Sequence, residues 1–254
     1  MPPQPDGSAD APWLSIVVPM KNEVENVAFV TEGIAAACAG LGSIEAIYVD
    51  DGSTDGTAAG LLALKARFPF LRLVRHERPA GQSAAIHSGV TFARAAVICT
   101  LDGDGQNPPS EIPKLVARLE GRRFPEGVAL IAGQRVGRRD SASKRLASSA
   151  ANAIRSALLR DGTRDTGCGL KLIRRDVFLA LPYFDHMHRY LPALVARDSW
   201  RTLHVDLAHA PRHAGRSNYG NVGRALAGAY DLIGVTWLIR RRKKARGHER
   251  TEAA

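Results

Sequence analysis

The chain has 254 residues, 45% hydrophobic and 24% charged, a composition that excludes a disordered polymer and supports a sizeable folded core. A count of 35 Lys and Arg against 25 Asp and Glu gives a net charge of +10, which points to a polyanionic partner: nucleic acid, phosphorylated ligands or an anionic membrane. Cys38, Cys99 and Cys168 stand singly without CxxC spacing, which argues against a disulfide framework or zinc cluster and suits a reducing compartment.

Residues 1–12, MPPQPDGSADAP, are polar and Pro-rich and read as a disordered arm with no secretory signal. LSIVVP (Leu14 to Pro19) is a buried strand by its β-branched run, and Glu25 to Leu41 is a helix by the spacing of Val27, Val30, Ile34 and Cys38. IEAIYVD (Ile44 to Asp50) predicts a second strand closing on DDGSTDGT, followed by a helix over Ala58 to Phe68 and a third strand over Phe70 to His76. Gly81 to Ala95 reads as a turn and helix, and Ala96 to Asp102 as a fourth strand. Pro109 to Glu120 is a helix opening on Pro and Ser, and Val128 to Gln134 a fifth strand. This alternation predicts right-handed βαβ units in an α/β fold with a mostly parallel twisted sheet flanked by helices. Ligands bind beyond the carboxyl ends of such strands, and KNE, DDGSTDGT and DGDGQNPP fall there.

From Val136 the chain turns basic, then small and helical, then passes through RDTGCGLKLIRRD and DHMHRYLPALV. HVDLAHAPRHAGRSNYG reads as part strand and part polar loop. A helix from Val222 to Ile239 carries Val222, Leu226, Tyr230, Ile233 and Trp237 as an amphipathic stripe and ends in RRRKKAR. Its most apolar stretch, LIGVTWLI, is far short of the ~20 residues that span a bilayer. The simplest organisation is one domain over 13–221 with a C-terminal appendage over 222–254.

DDGSTDGT sits where glycine-rich loops cradle phosphate, but its three carboxylates would repel that ligand and suit a ribose hydroxyl or a base N–H instead. The bland reading is a turn capped by Asp55. In DGD, residues i and i+2 of a strand end share a direction, so Asp102 and Asp104 can reach one hard cation, Mg²⁺ or Mn²⁺, completed by substrate phosphates. A solvated acidic turn is the alternative. His87 reads as structural, His186, His188, His204 and His209 lack metal spacing, and Cys168 reads as packing.

Taken together, Glu23, DDGSTDGT, GQSAAIHSG and DGDGQNPPSEIPKLV, in order at strand-to-helix junctions, resemble a family 2 glycosyltransferase of the GT-A fold. RDTGCGLKLIRRD, HRYLP and GRSNYG narrow the resemblance to the polyprenyl-phosphate glycosyltransferases over Leu14 to Arg240. The resemblance implies that Pro19, Asn22 and Glu23 lie against the nucleotide and that Asp50 and Asp51 face its base and ribose. It implies that Asp102, Asp104 and Gln106 hold a Mg²⁺ or Mn²⁺ ion and the diphosphate. Arg135 and Arg145 match positions that hold acceptor or leaving phosphates, supported by Arg138, Arg139 and Lys144. Asp165, Gly167 and Cys168 match the sugar and acceptor side, and His213, Arg216, Ser217 and Tyr219 the late loop. The implied reaction is inverting transfer of a sugar from a GDP- or UDP-sugar to polyprenyl phosphate on the cytoplasmic membrane face. A lipid monophosphate is already an oxyanion at neutral pH, so it needs positive charge more than a general base. A hydroxyl acceptor would need a carboxylate base, with Asp104 and Asp165 as candidates. The non-catalytic rival is a sugar-nucleotide-binding or basic membrane scaffold. The C-terminal helix is expected either to lie in the membrane interface with its basic end on anionic headgroups or to pack its stripe on protein. No nucleic-acid motif accompanies the basic tail, and the oligomeric state, homo-oligomers included, stays open.

Overall fold

The computed structural model describes residues 11–136, 155–159, 161–208, 210 and 221–242, the last stretch with side chains from 228 onward. Strands β1 (Leu14–Met20), β2 (Ile44–Asp50), β3 (Leu71–Arg75) and β4 (Val97–Thr100) alternate with helices α1 (Val27–Cys38), α2 (Thr57–Leu64) and α3 (Gln82–Phe92). A 3₁₀ turn (Pro109–Glu111) leads into α4 (Ile112–Val116), then β5 (Val128–Arg135), β6 (Lys171–Arg174) and α5 (Arg175–Ala180). Helix α6 (Leu191–Arg197), β7 (Arg201–Leu207) and α7 (Asn221–Arg240) complete the described elements.

The seven strands form one sheet in the order β3-β2-β1-β4-β6-β5-β7. β1 pairs parallel with β2 and β4, β2 with β3, and β5 with β7, whereas β6 runs antiparallel to both β4 and β5. Both faces are covered. Leu14, Ile16, Val18 and Met20 pack under α1 and α2 with Val30, Ile34 and Leu61. Val17, Ile47, Val49 and Ile98 pack on the other face with Ile86 and Val90 of α3 and Leu191 and Leu194 of α6. Two buried faces are why these strands read as continuous apolar runs rather than as an alternation. At about 1.5–3 kcal/mol for each fully buried Val, Leu or Ile, this core fixes the strand ends on which the site is built.

Register decides where those ends fall. Met20 lies opposite Asp50 and Val17 opposite Thr100, and the amides of Asp51 and Leu101 continue the ladder onto Met20 and Val17. β2 and β4 lie on opposite sides of β1, so the chain reverses direction of winding there, and a crevice opens between the diverging loops.

Two expectations are corrected, and one left open is narrowed. β6 was not anticipated: KLIR is four residues between a glycine-rich turn and two arginines, too short to show a period. The Pro109 to Glu120 helix is shorter, because after Val116 the amides of Arg118 and Leu119 reach back three residues in 3₁₀ fashion. The open one concerns α7, whose stripe was expected either at the membrane interface or packed on protein. Of its predicted stripe, Tyr230, Ile233 and Trp237 are 80%, 71% and 59% exposed, while Val235 is buried. The helix docks through the adjacent face: His186 Nδ1 meets Asp231 Oδ2 at 2.9 Å, Tyr190 donates to the Gly228 carbonyl at 3.2 Å and Arg197 Nε to the Leu238 carbonyl at 3.1 Å. Val235, with Leu232, Leu238 and Ile239, packs this face on the core, and the polar anchors fix it there.

Candidate active site

The wall formed by β1 and β2 is sewn together by short polar side chains. Asn22 takes a left-handed backbone at φ 54°, its amide donates to Ser53 Oγ at 2.9 Å, and its Oδ1 accepts from the Thr54 amide at 2.8 Å. The Glu23 amide donates to Thr57 Oγ1 at 3.0 Å, and its carboxylate accepts from Asn26 Nδ2. Asp55 accepts from the amides of Thr57 and Val24 at 3.0 and 3.1 Å. Burial pulls the Asp55 carboxyl upward, and the Thr57 and Val24 donors outweigh it and hold it below the usual range. The capped-turn reading of DDGSTDGT therefore describes Asp55 correctly in kind, although the helix's N-cap residue is Gly56.

The two leading aspartates differ. Asp50 is fully buried: Oδ1 accepts from the Ser53 amide at 3.0 Å, while Oδ2 has no hydrogen bond and only a looser ion pair to Arg75 Nε at 3.3 Å. Asp51 accepts from His76 Nδ1 at 2.7 Å, the Ala80 amide at 2.8 Å and the Gly81 amide at 2.9 Å. His76 continues through Nε2 to Ser88 Oγ at 2.9 Å. The Asp51 carboxylate, expected to face base or ribose, also holds the β3–α3 loop.

The DGD pair lies beyond β4, in a turn, so the strand pleat does not orient it; hydrogen bonds do. Gln82 Nε2 donates to Asp102 Oδ1 and Asn107 Nδ2 to Asp102 Oδ2, both at 2.8 Å. Burial and the neighbouring Asp104 push the Asp102 carboxyl up to about 6, against the pull of Lys171, Arg135 and the Gln82 amide. Asp104 Oδ1 accepts from the Gln106 amide at 3.0 Å, and the Gln106 carbonyl accepts from Ala210. Two glycines permit the approach. A Cβ on Gly103 would sit 2.8 Å from the Pro19 carbonyl oxygen and 2.6 Å from Met20 sulfur. One on Gly169 would sit 2.2–2.3 Å from the Asp102 carboxyl atoms.

Across the cleft, Arg135 and Asp165, assigned separately by the sequence, form one bidentate pair. Arg135 Nε meets Asp165 Oδ2 at 2.7 Å and Nη2 meets Oδ1 at 3.0 Å, while the Gly167 amide adds a bond at 3.0 Å. Burial alone would raise the Asp165 carboxyl, and the Arg135 fork reverses the sign and holds it below the usual range. Cys168 is fully buried, its thiol aimed at Asn107 Oδ1 at 3.4 Å and pushed up by burial, as packing requires. Lys171 is a buried cation donating to the Cys168 carbonyl; burial lowers its ammonium, and Cys168, Asp102 and Asp165 pull it part of the way back. Arg138, Arg139, Lys144, Arg145, His209, His213, Arg216, Ser217 and Tyr219 lie outside the described residues.

Sequence reasoning missed Gln82, Asn107, Gly169, Lys171 and His76 as site-building residues. Gln82 and Asn107 stood inside quoted motifs, but amides carry no charge pattern, and their partners are set only by folding. Asp102 and Asp104 suit Mg²⁺ or Mn²⁺: each Asp102 oxygen keeps a lone pair after its amide bond. Among the described residues no third His, Cys, Asp or Glu completes a metal-binding group, so substrate phosphate oxygens would supply the other ligands.

The family model described as glycosyl transferase family 2 matches residues 15–181. The dodecaprenyl-phosphate galacturonate synthase of Rhizobium johnstonii is 35% identical over 232 residues, 89% of this chain and 67% of that protein. The undecaprenyl-phosphate 4-deoxy-4-formamido-L-arabinose transferase of Photorhabdus laumondii is 33% identical over 222 residues, 87% of this chain and 66% of that protein. The chain thus spans about two thirds of the length of these relatives. The solved structure of glucosyl-3-phosphoglycerate synthase from Mycobacterium tuberculosis with Mn²⁺, UDP-glucose and phosphoglyceric acid shares the fold. Its TM-score is 0.67 at 20% identity, covering 94% of this chain and 83% of that one.

Proposed function

The chain belongs to glycosyl transferase family 2, and on that premise we propose that it moves a sugar, with inversion, from a GDP- or UDP-sugar to a polyprenyl phosphate at the cytoplasmic membrane surface. The observation that carries this reading is the amide-braced DGD turn at the β1/β4 crevice, its Asp102 carboxyl within the electrostatic reach of Arg135 and Lys171. A divalent cation held by Asp102 and Asp104 would supply charge stabilisation on the departing diphosphate. Pro19, Asn22 and Glu23 line the nucleotide side, where the backbone knit between KNE and DDGSTDGT keeps the wall rigid. Gln106 extends the donor side, and Gly167 with Cys168 shapes the sugar and acceptor side. Arg135, with Arg145, is assigned to the phosphate of the acceptor.

A phosphate acceptor is favoured over a hydroxyl by the state of Asp165. A general base works best with a pKa near the operating pH. Asp165, clamped by a guanidinium and held below the ordinary carboxylate range, is a poor base, whereas a lipid phosphate brings its own nucleophilic oxyanion.

Membrane contact is assigned to α7. No helix among the described residues is long and apolar enough to cross a bilayer. Tyr230, Ile233 and Trp237 nonetheless face outward from a docked helix that ends in exposed Arg240, Arg241 and Arg242. Apolar and aromatic residues beside a basic end suit an anionic interface. The test is a donor screen with purified protein, Mn²⁺ or Mg²⁺ and a short polyprenyl phosphate, with liposome co-sedimentation alongside. One sugar nucleotide should yield a metal-dependent glycosyl phospholipid, and polyprenol should yield none. Product on hydroxyl acceptors alone overturns the acceptor assignment. Undiminished sedimentation of an Ile233→Ser/Trp237→Ser chain with anionic vesicles overturns the membrane face.

A further inference from the structure

We propose that Gln82 and Asn107 are positioning residues that act through Asp102, holding its carboxylate in the orientation that lets it share a divalent cation with Asp104 and the donor diphosphate. The inference rests on the metal-assisted reading above.

Asp102 is gripped from two parts of the chain. Gln82, the first residue of α3, donates to Oδ1, and Asn107, five residues beyond Asp102, donates to Oδ2, each at 2.8 Å. The carboxyl group lies directly on Gly169, where any Cβ would collide with it. Rotation is therefore blocked at both oxygens and from below. The Asn107 amide has a determined orientation, because its Oδ1 accepts from the buried Cys168 thiol and only Nδ2 is left to face Asp102. Cys168 thus joins the site as a structural support for Asn107.

Gln82 is equally well fixed. The amides of Ala80 and Gly81 bind Asp51 at the end of β2, and Ser83 Oγ pairs with His188 Nδ1 at 2.7 Å. Four consecutive residues therefore tether the ends of β2 and β4 and the 3₁₀ turn Met187–Arg189. Removal of the Gln82 side chain leaves the other three tethers intact, so the loop keeps its place and only the grip on Asp102 is lost.

The chemical type of the braces matters. Two neutral amides orient a carboxylate without cancelling its charge and take one lone pair from each oxygen, leaving one on each for a cation. Outer partners of metal-binding side chains typically change metal affinity by about 10- to 100-fold when removed.

The experiment measures Mn²⁺ binding directly, from the electron paramagnetic resonance signal of free aqueous Mn²⁺, in the presence of UDP and separately of GDP. Gln82→Ala and Asn107→Ala should each weaken Mn²⁺ binding to the nucleotide complex by about 10-fold or more, with kcat falling more than KM rises. Nucleotide affinity without metal should stay at wild-type values in both variants, and the thermal midpoint should do so in Gln82→Ala, whereas Asn107→Ala loses some stability because Asn107 is buried. In an Asp102→Asn background, Gln82→Ala should cause no further loss, because its effect passes through that carboxylate. Unchanged Mn²⁺ affinity in both alanine variants overturns the proposal. So does a full Gln82→Ala effect in the Asp102→Asn background, or a parallel loss of metal-free nucleotide binding and thermal stability. Wild-type protein that binds Mn²⁺ with nucleotide but fails to glycosylate lipid phosphate would sink the functional reading and leave this one standing. Wild-type protein that binds no Mn²⁺ with either nucleotide overturns both.

Discussion

Two carboxylates of the candidate site, Asp102 and Asp165, are held in opposite ways. Asp102, on the donor wall, is gripped by the neutral amides of Gln82 and Asn107 and stacked on Gly169. Asp165, on the other wall, is clamped by the Arg135 guanidinium. Both are withdrawn from bulk water, yet burial and Asp104 push Asp102 up to about 6, while the Arg135 fork, overcoming burial, holds Asp165 down. The difference teaches how one cleft separates two tasks. A carboxylate braced by amides is oriented but keeps its charge for a cation. A carboxylate braced by guanidinium has its charge compensated and in return fixes the orientation of the guanidinium it holds.

The largest expected effect comes from removing charge on the donor wall. Asp104→Asn should lower kcat by about 10³-fold or more and abolish metal-dependent donor binding while the fold persists, because transition-state charge stabilisation is lost. Turnover near wild type would mean that the pair does not hold a cation. On the opposite wall the damage should fall on stability as well as on use of the acceptor phosphate. Arg135→Ala leaves Asp165 without its guanidinium partner in a largely buried setting, where breaking such a pair costs about 3–5 kcal/mol. Urea unfolding of Arg135→Ala, Asp165→Ala and the double variant should show the double recovering part of the loss. Simple additivity would show that the two side chains do not act as a pair.

The smallest effect sharpens the contrast with a third buried group. Burial, together with Lys171 and Arg189, holds His188 well below the ordinary histidine range, so the native state keeps it neutral while the unfolded chain protonates near pH 6.5. The unfolded state then binds more protons, so this contribution is present above about pH 6.5 and is lost as pH falls. A His188→Gln chain should show a flatter decline of thermal midpoint between pH 7 and pH 5 than wild type. An equal slope in the two chains would assign the pH dependence elsewhere.

Much of this was legible before folding. The alternation of apolar runs with 3.6-period segments located β1 to β5 and α1 to α4, and the polar clusters at their junctions located the crevice. What escaped has a common physical cause. β6 is too short for a period, and its place between β4 and β5 depends on a long-range antiparallel pairing. Which side of α7 docks was left open, since it depends on partners outside the helix, among them His186, Tyr190 and Arg197. Gln82 and Asn107 are uncharged and distant in sequence from each other, so nothing local marks them as partners of one carboxylate.

By itself the sequence determined the α/β alternation, the family and the identity of the DGD pair, because periodicity and short motifs are local properties of a chain. Only the tertiary structure decided which charges stay available. Asp51, Asp102 and Asp165 are the same residue type at similar loop ends, and the sequence offers no basis for ranking them. Their partners lie between 2 and 30 residues away. A carboxylate's function depends on whether those partners are amides or cations, and that pairing exists only once the strand ends have been brought into one crevice.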